Sequence, residues 1–313
     1  MFKDCLTIMV ELYAQPLPSL EVLASGNLGW IYIIDAQTVL KVPEVPGDEN
    51  FSKELDAYDT LEKYDPCPNI VQSFLRLPEG IFMPRYEGGS LEQRLLAHQV
   101  RSIPGHRGQV LKVTKNEPTV LIERWMSELS GAIAWLEALG YVHGDLAPRN
   151  LLLDKDDHLK LVDFENLAVI GTESDGNQCP YARVLGPEAG SQRGSYGLYG
   201  AQTEQFAIGS IAYFMTRGYE PYENENFGSD HGPVVVEKFQ FRQFPVLRDG
   251  NSDKIIRQCW WGEYARVKDL AEETKLLMGA CELPRATALD SEYCLSRRIQ
   301  CQRLVNQGLL RRN

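Results

Sequence analysis

The run His143-Gly144-Asp145-Leu146-Ala147-Pro148-Arg149-Asn150, followed by Asp163-Phe164-Glu165, holds two acids and an amide at a spacing suited to phosphoryl transfer. Asn150 lies five residues after Asp145. Between Asn150 and Asp163 stand two apolar runs, Leu151-Leu152-Leu153 and Leu159-Lys160-Leu161-Val162, separated by the polar turn Asp154-Lys155-Asp156-Asp157. Apolar run, polar turn and apolar run predict a short β-hairpin, which returns Asp163 to the side of Asn150. One carboxylate, Asp145, is then free to receive a hydroxyl proton. Asn150 and Asp163 offer oxygens to Mg²⁺, a hard cation that prefers oxygen ligands and substrate phosphates.

The elements that must position these groups follow from periodicity. Leu20 to Ala24, Trp30 to Ile34 and Thr38 to Val42 are short β-branched or aromatic runs broken by Gly26, Gly29 and Asp35, and they predict an antiparallel meander. A helix is expected from about Phe51 to Tyr64, striped by Leu55, Tyr58 and Leu61 and stopped by Pro66 and Pro68. Beyond Gly88-Gly89 the pattern changes to long helices. The clearest runs from Thr119 to Leu139, with Leu121, Trp125, Leu129, Ile133 and Leu136 on one face. The boundary between the two patterns falls near Glu87. Residues 98–118 are polar and contain glycine, and read as a surface insertion.

Composition narrows the setting. A chain of 313 residues with 43% hydrophobic residues can build two lobes. A net charge of −11 argues against nucleic acid or an anionic membrane as the main partner, because both reward Lys and Arg. The seven cysteines have no C-x-x-C spacing and read as reduced thiols of an intracellular protein rather than a zinc site. Neither a secretion signal nor a long uncharged apolar stretch is visible, so the expected location is cytoplasmic, with the nucleus as the alternative.

Upstream, Ala24-Ser25-Gly26-Asn27-Leu28-Gly29 lies between two expected strands, where glycines let backbone amides approach phosphates. Its bland reading is a plain hairpin turn. Lys41 follows twelve residues after Gly29 in an apolar strand. An ammonium there needs an anion, and Glu54 on the next helix is the available partner.

With these residues in hand, the chain from about residue 20 to 280 resembles a divergent eukaryotic-type protein kinase, with a fungal kinase-like group in view. Val39-Leu40-Lys41 is similar to the family's lysine strand, and Glu54 with Ala57, Tyr58 and Leu61 to its acidic helix. Phe82 to Leu91 resembles the hinge, Gly186-Pro187-Glu188 the Ala-Pro-Glu motif, and Glu204 to Gly209 the Asp-x-Trp-x-x-Gly helix. The resemblance implies an α+β, bilobal fold: an extension over 1–19, a small antiparallel-sheet lobe over 20–87, a helical lobe over 88–280 and a helical extension over 281–313. It implies ATP and Mg²⁺ as cofactors, a protein substrate with Ser or Thr favoured over Tyr, and a monomer. Lys41, held by Glu54, would bind the α- and β-phosphates. Asp145 would orient and deprotonate the acceptor hydroxyl, while Asn150 and Asp163 would ligate Mg²⁺. Ala24, Gly26, Gly29, Ile31, Val39, Met83, Pro84, Tyr86 and Leu152 complete the implied nucleotide site, with Met83 as gatekeeper, the Pro84 carbonyl as acceptor and the Tyr86 amide as donor. Arg266 would pair with Glu188.

Departures from the family carry further expectations. Ala147 stands where many members have lysine, and Arg149 offers a relocated cation for the γ-phosphate. Gly144 replaces the arginine that in many kinases pairs with a phosphorylated activation segment, so activity is expected without phosphate on Thr172, Ser174 or Tyr181. Glu165 replaces a glycine, which either stiffens the Asp163 loop or adds a carboxylate near the metal. Two rival functions share much of this pattern. A small-molecule phosphotransferase of the aminoglycoside or choline kinase type would use the same acids, and a pseudokinase scaffold would tolerate the departures. Trp260-Trp261 reads as core, His106 and His158 as surface residues, and the arginines after residue 296 as a basic helix face.

Overall fold

The computed structural model describes residues 17–26, 29–103 and 108–311. The chain divides into two compact units: residues 1–66, 71–86 and 288–313 form the first, and 67–70 with 87–287 the second. The break between sheet-rich and helix-rich chain falls after Tyr86.

The first unit is a five-stranded sheet with a helix. Strands β1 (Val22–Gly26), β2 (Gly29–Ile33) and β3 (Thr38–Pro43) form the expected meander, followed by helix α1 (Glu49–Leu61) and strands β4 (Leu75–Leu77) and β5 (Gly80–Pro84). The sheet order is β1-β2-β3-β5-β4, and every neighbouring pair is antiparallel. Alternation along β3 separates its side chains: Leu40 and Val42 enter one core, while Lys41 belongs to the opposite face. That core joins Trp30, Tyr32, Phe74 and Phe82 to Leu17 and to Cys301 of the C-terminal helix, Ser291–Asn306. Tyr293, Val305, Leu309 and Leu310 pack around it. Each such large side chain contributes roughly 1.5–3 kcal/mol when fully buried, so the C-terminal helix is structural for this unit. Arg297 is buried rather than part of a solvated basic face: its guanidinium donates to both Asp35 oxygens, at 2.8 and 2.5 Å, and to Thr38 Oγ1.

The second unit begins with helix α2 (Leu91–Leu96), started by a reciprocal Ser90–Gln93 capping box. The residues read as a surface insertion contain a hairpin, β6 (Gln99–Arg101) and β7 (Val110–Val113). Its edge is docked, because Val110 N donates to Glu223 O at 2.9 Å and Arg101 pairs with Glu223 at 2.5 Å. Helix α3 (Thr119–Ala138) buries Trp125, Leu129, Ile133 and Leu136, as its apolar period predicts. Strand β8 (Tyr141–Val142) leads to the catalytic-type loop. The paired strands β9 (Leu151–Leu153) and β10 (Leu159–Leu161) follow, then β11 (Ala168–Val169), which pairs with β8. Helices α4 (Ala201–Arg217), α5 (His231–Gln240), α6 (Asn251–Trp261), α7 (Val267–Thr274) and α8 (Met278–Glu282) complete the unit. Helix α4 packs against α6 and α3. Gly209 permits a close approach to α6, since a Cβ there would lie 2.7 Å from the Cys259 Cβ. Among the described residues no helix is long and apolar enough to cross a membrane.

Candidate functional site

In the first unit, Lys41 sits in β3 opposite Ile31 of β2 and Ile81 of β5. Its Nζ lies 2.7 Å from Glu54 Oε2, and the Glu54 side chain is 1% exposed. Helix α1 can present Glu54 because its start is fixed: Asp48 Oδ1 accepts from Asn50 N and Phe51 N, both at 2.9 Å. Phe51, Ala57, Tyr58 and Leu61 anchor the buried side of the helix. The glycine turn joins β1 to β2 with Gly26 opposite Gly29 and Ala24 opposite Ile31, while Asn27 and Leu28 lie outside the described residues. Gly29 must be glycine: its φ is 149°, and a Cβ would come within 2.0 Å of Val42 O. Val39 pairs with Met83 and Thr38 with Pro84 across β3 and β5. Tyr58 Oη donates to Met83 Sδ at 3.3 Å. Tyr86, just beyond β5, is the last residue of the 71–86 stretch of this unit.

In the second unit the loop after β8 is held from three sides. His143 is fully buried, and its Nε2 lies 3.0 Å from Val162 O, an acceptor only, so this nitrogen carries the proton. Its Nδ1 then accepts from Asp145 N at 3.3 Å. Burial holds the imidazole pKa below its ordinary value, which agrees with this neutral tautomer. From below, Glu204 in the first turn of α4 accepts the His143 amide at 3.0 Å and also bonds the Gly144 amide. Burial pushes the Glu204 carboxyl up to about 7 against these two donors. The sequence marks Glu204 only as a departure from an expected aspartate; its task of holding the loop backbone comes from packing. From the third side, Val162 N donates to Asn150 O at 3.0 Å, so the β9–β10 hairpin does return its end to Asn150. Leu152, the remaining implied nucleotide contact in this unit, pairs with Lys160 in that hairpin. The hairpin turn is itself fastened to α3. Trp125 Nε1 donates to Asp157 O at 2.7 Å, and Glu128 binds His158 Nδ1 at 2.5 Å and Leu159 N at 2.9 Å. His158 is therefore buried, not a surface residue; His106 lies outside the described residues.

The carboxylate of Asp145 is oriented by its neighbours. Arg149 Nη2 reaches Oδ1 at 2.7 Å and Oδ2 at 2.8 Å, and Asn150 Nδ2 reaches Oδ2 at 3.0 Å. Asn150 Nδ2 also donates to Asp145 O at 2.9 Å, which fixes the amide and directs Oδ1 the other way. Asp163 adopts φ 72°, a left-handed conformation uncommon for a residue with a Cβ and concentrated at functional sites. Glu165 is not among the positive-φ residues, so a side chain there costs no backbone strain. An amide oxygen and a carboxylate are hard donors, and they fit Mg²⁺, which takes one or two protein oxygens together with substrate phosphates.

Gly144 is required where it stands. Its φ is 78°, and a Cβ would lie 2.3 Å from Asn166 O. The Gly144→Ala change is expected to lower stability by about 2 kcal/mol through this strain, read as a shifted urea midpoint at constant slope. An unchanged midpoint would refute the assignment. An arginine cannot be restored here without moving the backbone.

The activation segment, residues 163–188, corrects one expectation. Glu188 pairs with Arg183 at 2.7 Å and Arg242 at 3.4 Å, whereas Arg266 pairs with Asp269 at 2.6 Å. Arg266 immediately precedes α7, and Asp269 in its first turn is the nearer carboxylate. Tyr181 is buried and donates to Glu220 Oε1 at 2.5 Å, so its hydroxyl is a structural group. Burial pushes the Cys179 thiol up to about 12, which removes thiolate character. Trp260 fills core, but Trp261 is half exposed beside Arg242.

Comparisons with known proteins agree with this geometry. The family described as "Protein kinase domain" matches residues 50–281, a stretch that contains Glu54, Asp145, Asn150 and Asp163 and begins after Lys41. A Citron Rho-interacting kinase of Homo sapiens is 34% identical over 159 residues, 47% of this chain and 8% of that protein. A probable LIM domain-containing serine/threonine-protein kinase of Dictyostelium discoideum is 24% identical over 264 residues, 82% of this chain and 38% of its own length. A cAMP-dependent protein kinase catalytic subunit of Homo sapiens is 23% identical over 237 residues, 72% of this chain and 61% of that protein. The chain thus spans less than two thirds of the length of each of these relatives.

Proposed function

The chain belongs to the protein kinase family, and from that premise we propose that it transfers the γ-phosphate of ATP to a protein hydroxyl, Ser or Thr in preference to Tyr. The observation that carries this reading is the Asp145 carboxylate, held by Arg149 at 2.7 and 2.8 Å and by Asn150 at 3.0 Å. A carboxylate fixed by neighbouring donors is preorganised to accept the proton of an incoming hydroxyl and to aim that oxygen. Arg149 has a double task in this scheme: it orients Asp145 and brings positive charge to the loop where Ala147 offers none. Lys41, steadied by Glu54, binds the α- and β-phosphates. The glycines of the β1–β2 turn let backbone approach the phosphates. Asn150 and Asp163 hold Mg²⁺, which when bound neutralises phosphate charge.

The names of the relatives support a serine/threonine acceptor. The family match favours a protein acceptor over the small alcohol of a choline- or aminoglycoside-type kinase. ATP is expected to raise the melting temperature only when Mg²⁺ is present, because a ligand bound to the native state alone stabilises it, by about 2.7 kcal/mol at a hundredfold excess over Kd. A melting temperature unmoved by saturating ATP and Mg²⁺ would exclude a nucleotide-dependent enzyme and leave a scaffold.

A further inference from the structure

The activation segment is accompanied along much of its length by residues 194–199, which precede α4. Gly171 N donates to Tyr199 O at 2.8 Å, Tyr199 N to Thr172 O at 2.9 Å and Ser174 N to Gly197 O at 2.9 Å. Glu173 and Leu198 form an antiparallel bridge between them. Further on, Leu185 N donates to Ser195 O at 2.8 Å, and Gly194 N to Leu185 O at 2.9 Å. These bonds use backbone groups alone and involve no charge.

One side chain carries that order across to the catalytic loop. Asn177 Nδ2 donates to Leu146 O at 2.9 Å, and Leu146 directly follows Asp145. The amide orientation is settled by its other contact, because Asn177 Oδ1 accepts from Gln178 N at 2.6 Å and only the oxygen can do so. The preceding residue is shaped to deliver it. Gly176 has φ 82°, its amide donates to Ser174 Oγ at 3.1 Å, and the Tyr196 ring lies so close that a Cβ on Gly176 would come within 2.4 Å of it. Gly144, on the other side of Asp145, has no side chain with which to hold the segment, and its conformation excludes one.

We propose that Asn177 is a positioning residue that ties the activation segment to the backbone beside Asp145 by a neutral hydrogen bond, so that the segment is set for a protein acceptor without any phosphate on it. Thr172 and Ser174 then need no modification. Thr172 Oγ1 is turned back to Val169 O at 2.8 Å, and Ser174 Oγ serves the Gly176 amide. The kinetic consequence rests on the proposed kinase activity, whereas the tie does not.

The test compares the full chain with Asn177→Asp, which keeps the shape but replaces the donor by an acceptor facing the Leu146 carbonyl, and with the full chain after phosphatase treatment. Amide hydrogen exchange is read alongside steady-state kinetics on a generic protein acceptor. Asn177→Asp is expected to speed exchange across residues 171–178 while leaving α4 protected. It should lower kcat for the protein acceptor about tenfold with the KM for ATP unchanged within about twofold. Asn177→Ala should do the same if the isosteric variant misfolds. The phosphatase-treated chain should exchange and turn over as the untreated one does. Unchanged exchange in both Asn177 variants overturns the tie whatever the activity, and loss of turnover after phosphatase treatment overturns independence from phosphate. Faster exchange in a chain that never turns over supports the tie and rejects the kinase reading instead.

Discussion

Asp145→Asn is expected to lower kcat by about 10²–10⁴-fold, the span over which a positioned general base acts, with the ATP-dependent rise in melting temperature retained. The size follows from what the carboxylate does and what surrounds it. Asp145 accepts from two side chains: Arg149 at 2.7 and 2.8 Å and Asn150 at 3.0 Å. An asparagine there presents an NH₂ group where an oxygen received donors, so one contact becomes donor against donor and the remaining oxygen is a poor proton acceptor. The fold should survive. The Asp145–Arg149 pair is partly exposed, at 17% and 37%, and pairs of this kind are worth no more than about 1 kcal/mol. Stopped-flow or steady-state assays on the variant check the rate, and thermal melts with ATP check the binding. An undiminished rate would remove Asp145 from the chemistry.

Lys41→Met should abolish turnover and also destabilise the first unit, and the two effects are separable. Glu54 is buried, and Lys41 is its cation at 2.7 Å. Removing one partner of a buried pair leaves a desolvated charge behind and costs about 3 kcal/mol or more. The double variant Lys41→Met, Glu54→Gln removes that charge as well. Its melting temperature should recover most of the loss, while turnover stays absent because no ammonium meets the phosphates. Recovery of activity in the double variant would show that Lys41 serves the fold rather than the nucleotide. A single variant as stable as the parent would show that the pair is not energetically coupled.

Much of this organisation was legible in the residues because it is local. The β9–β10 hairpin follows from two apolar runs around an acidic turn, and α1 and α3 follow from their apolar stripes. The Lys41–Glu54 pair was legible for a different reason: an ammonium in an apolar strand must find an anion, and few were near. What escaped is non-local. Arg297 meets Asp35 across 262 residues of chain, and no periodic signal in a basic helix reveals that its apolar side covers a sheet. Motif alone matched Glu188 to Arg266, and Arg183 and Arg242 went unconsidered. Which arginine Glu188 took depended on how Arg183 and Arg242 were delivered and on Asp269 lying three residues from Arg266. His158 looked like a surface residue in a polar turn until the Glu128 carboxylate of α3 closed over it. Gly144 was noticed for the side chain it lacks, but its necessity arises from a left-handed φ and the nearby Asn166 carbonyl. Asn177 carried no signal at all, since an asparagine in a polar loop is unremarkable until its amide is seen on Leu146 O.

The central claim is transfer of a phosphoryl group to protein, and product analysis with γ-labelled ATP, Mg²⁺ and a generic protein acceptor tests it directly. Label is expected in Ser and Thr of the acceptor with the wild-type chain and not with Asp145→Asn or Lys41→Met. Label appearing only in a small alcohol or amino alcohol, or equally in all three reactions, would contradict the account.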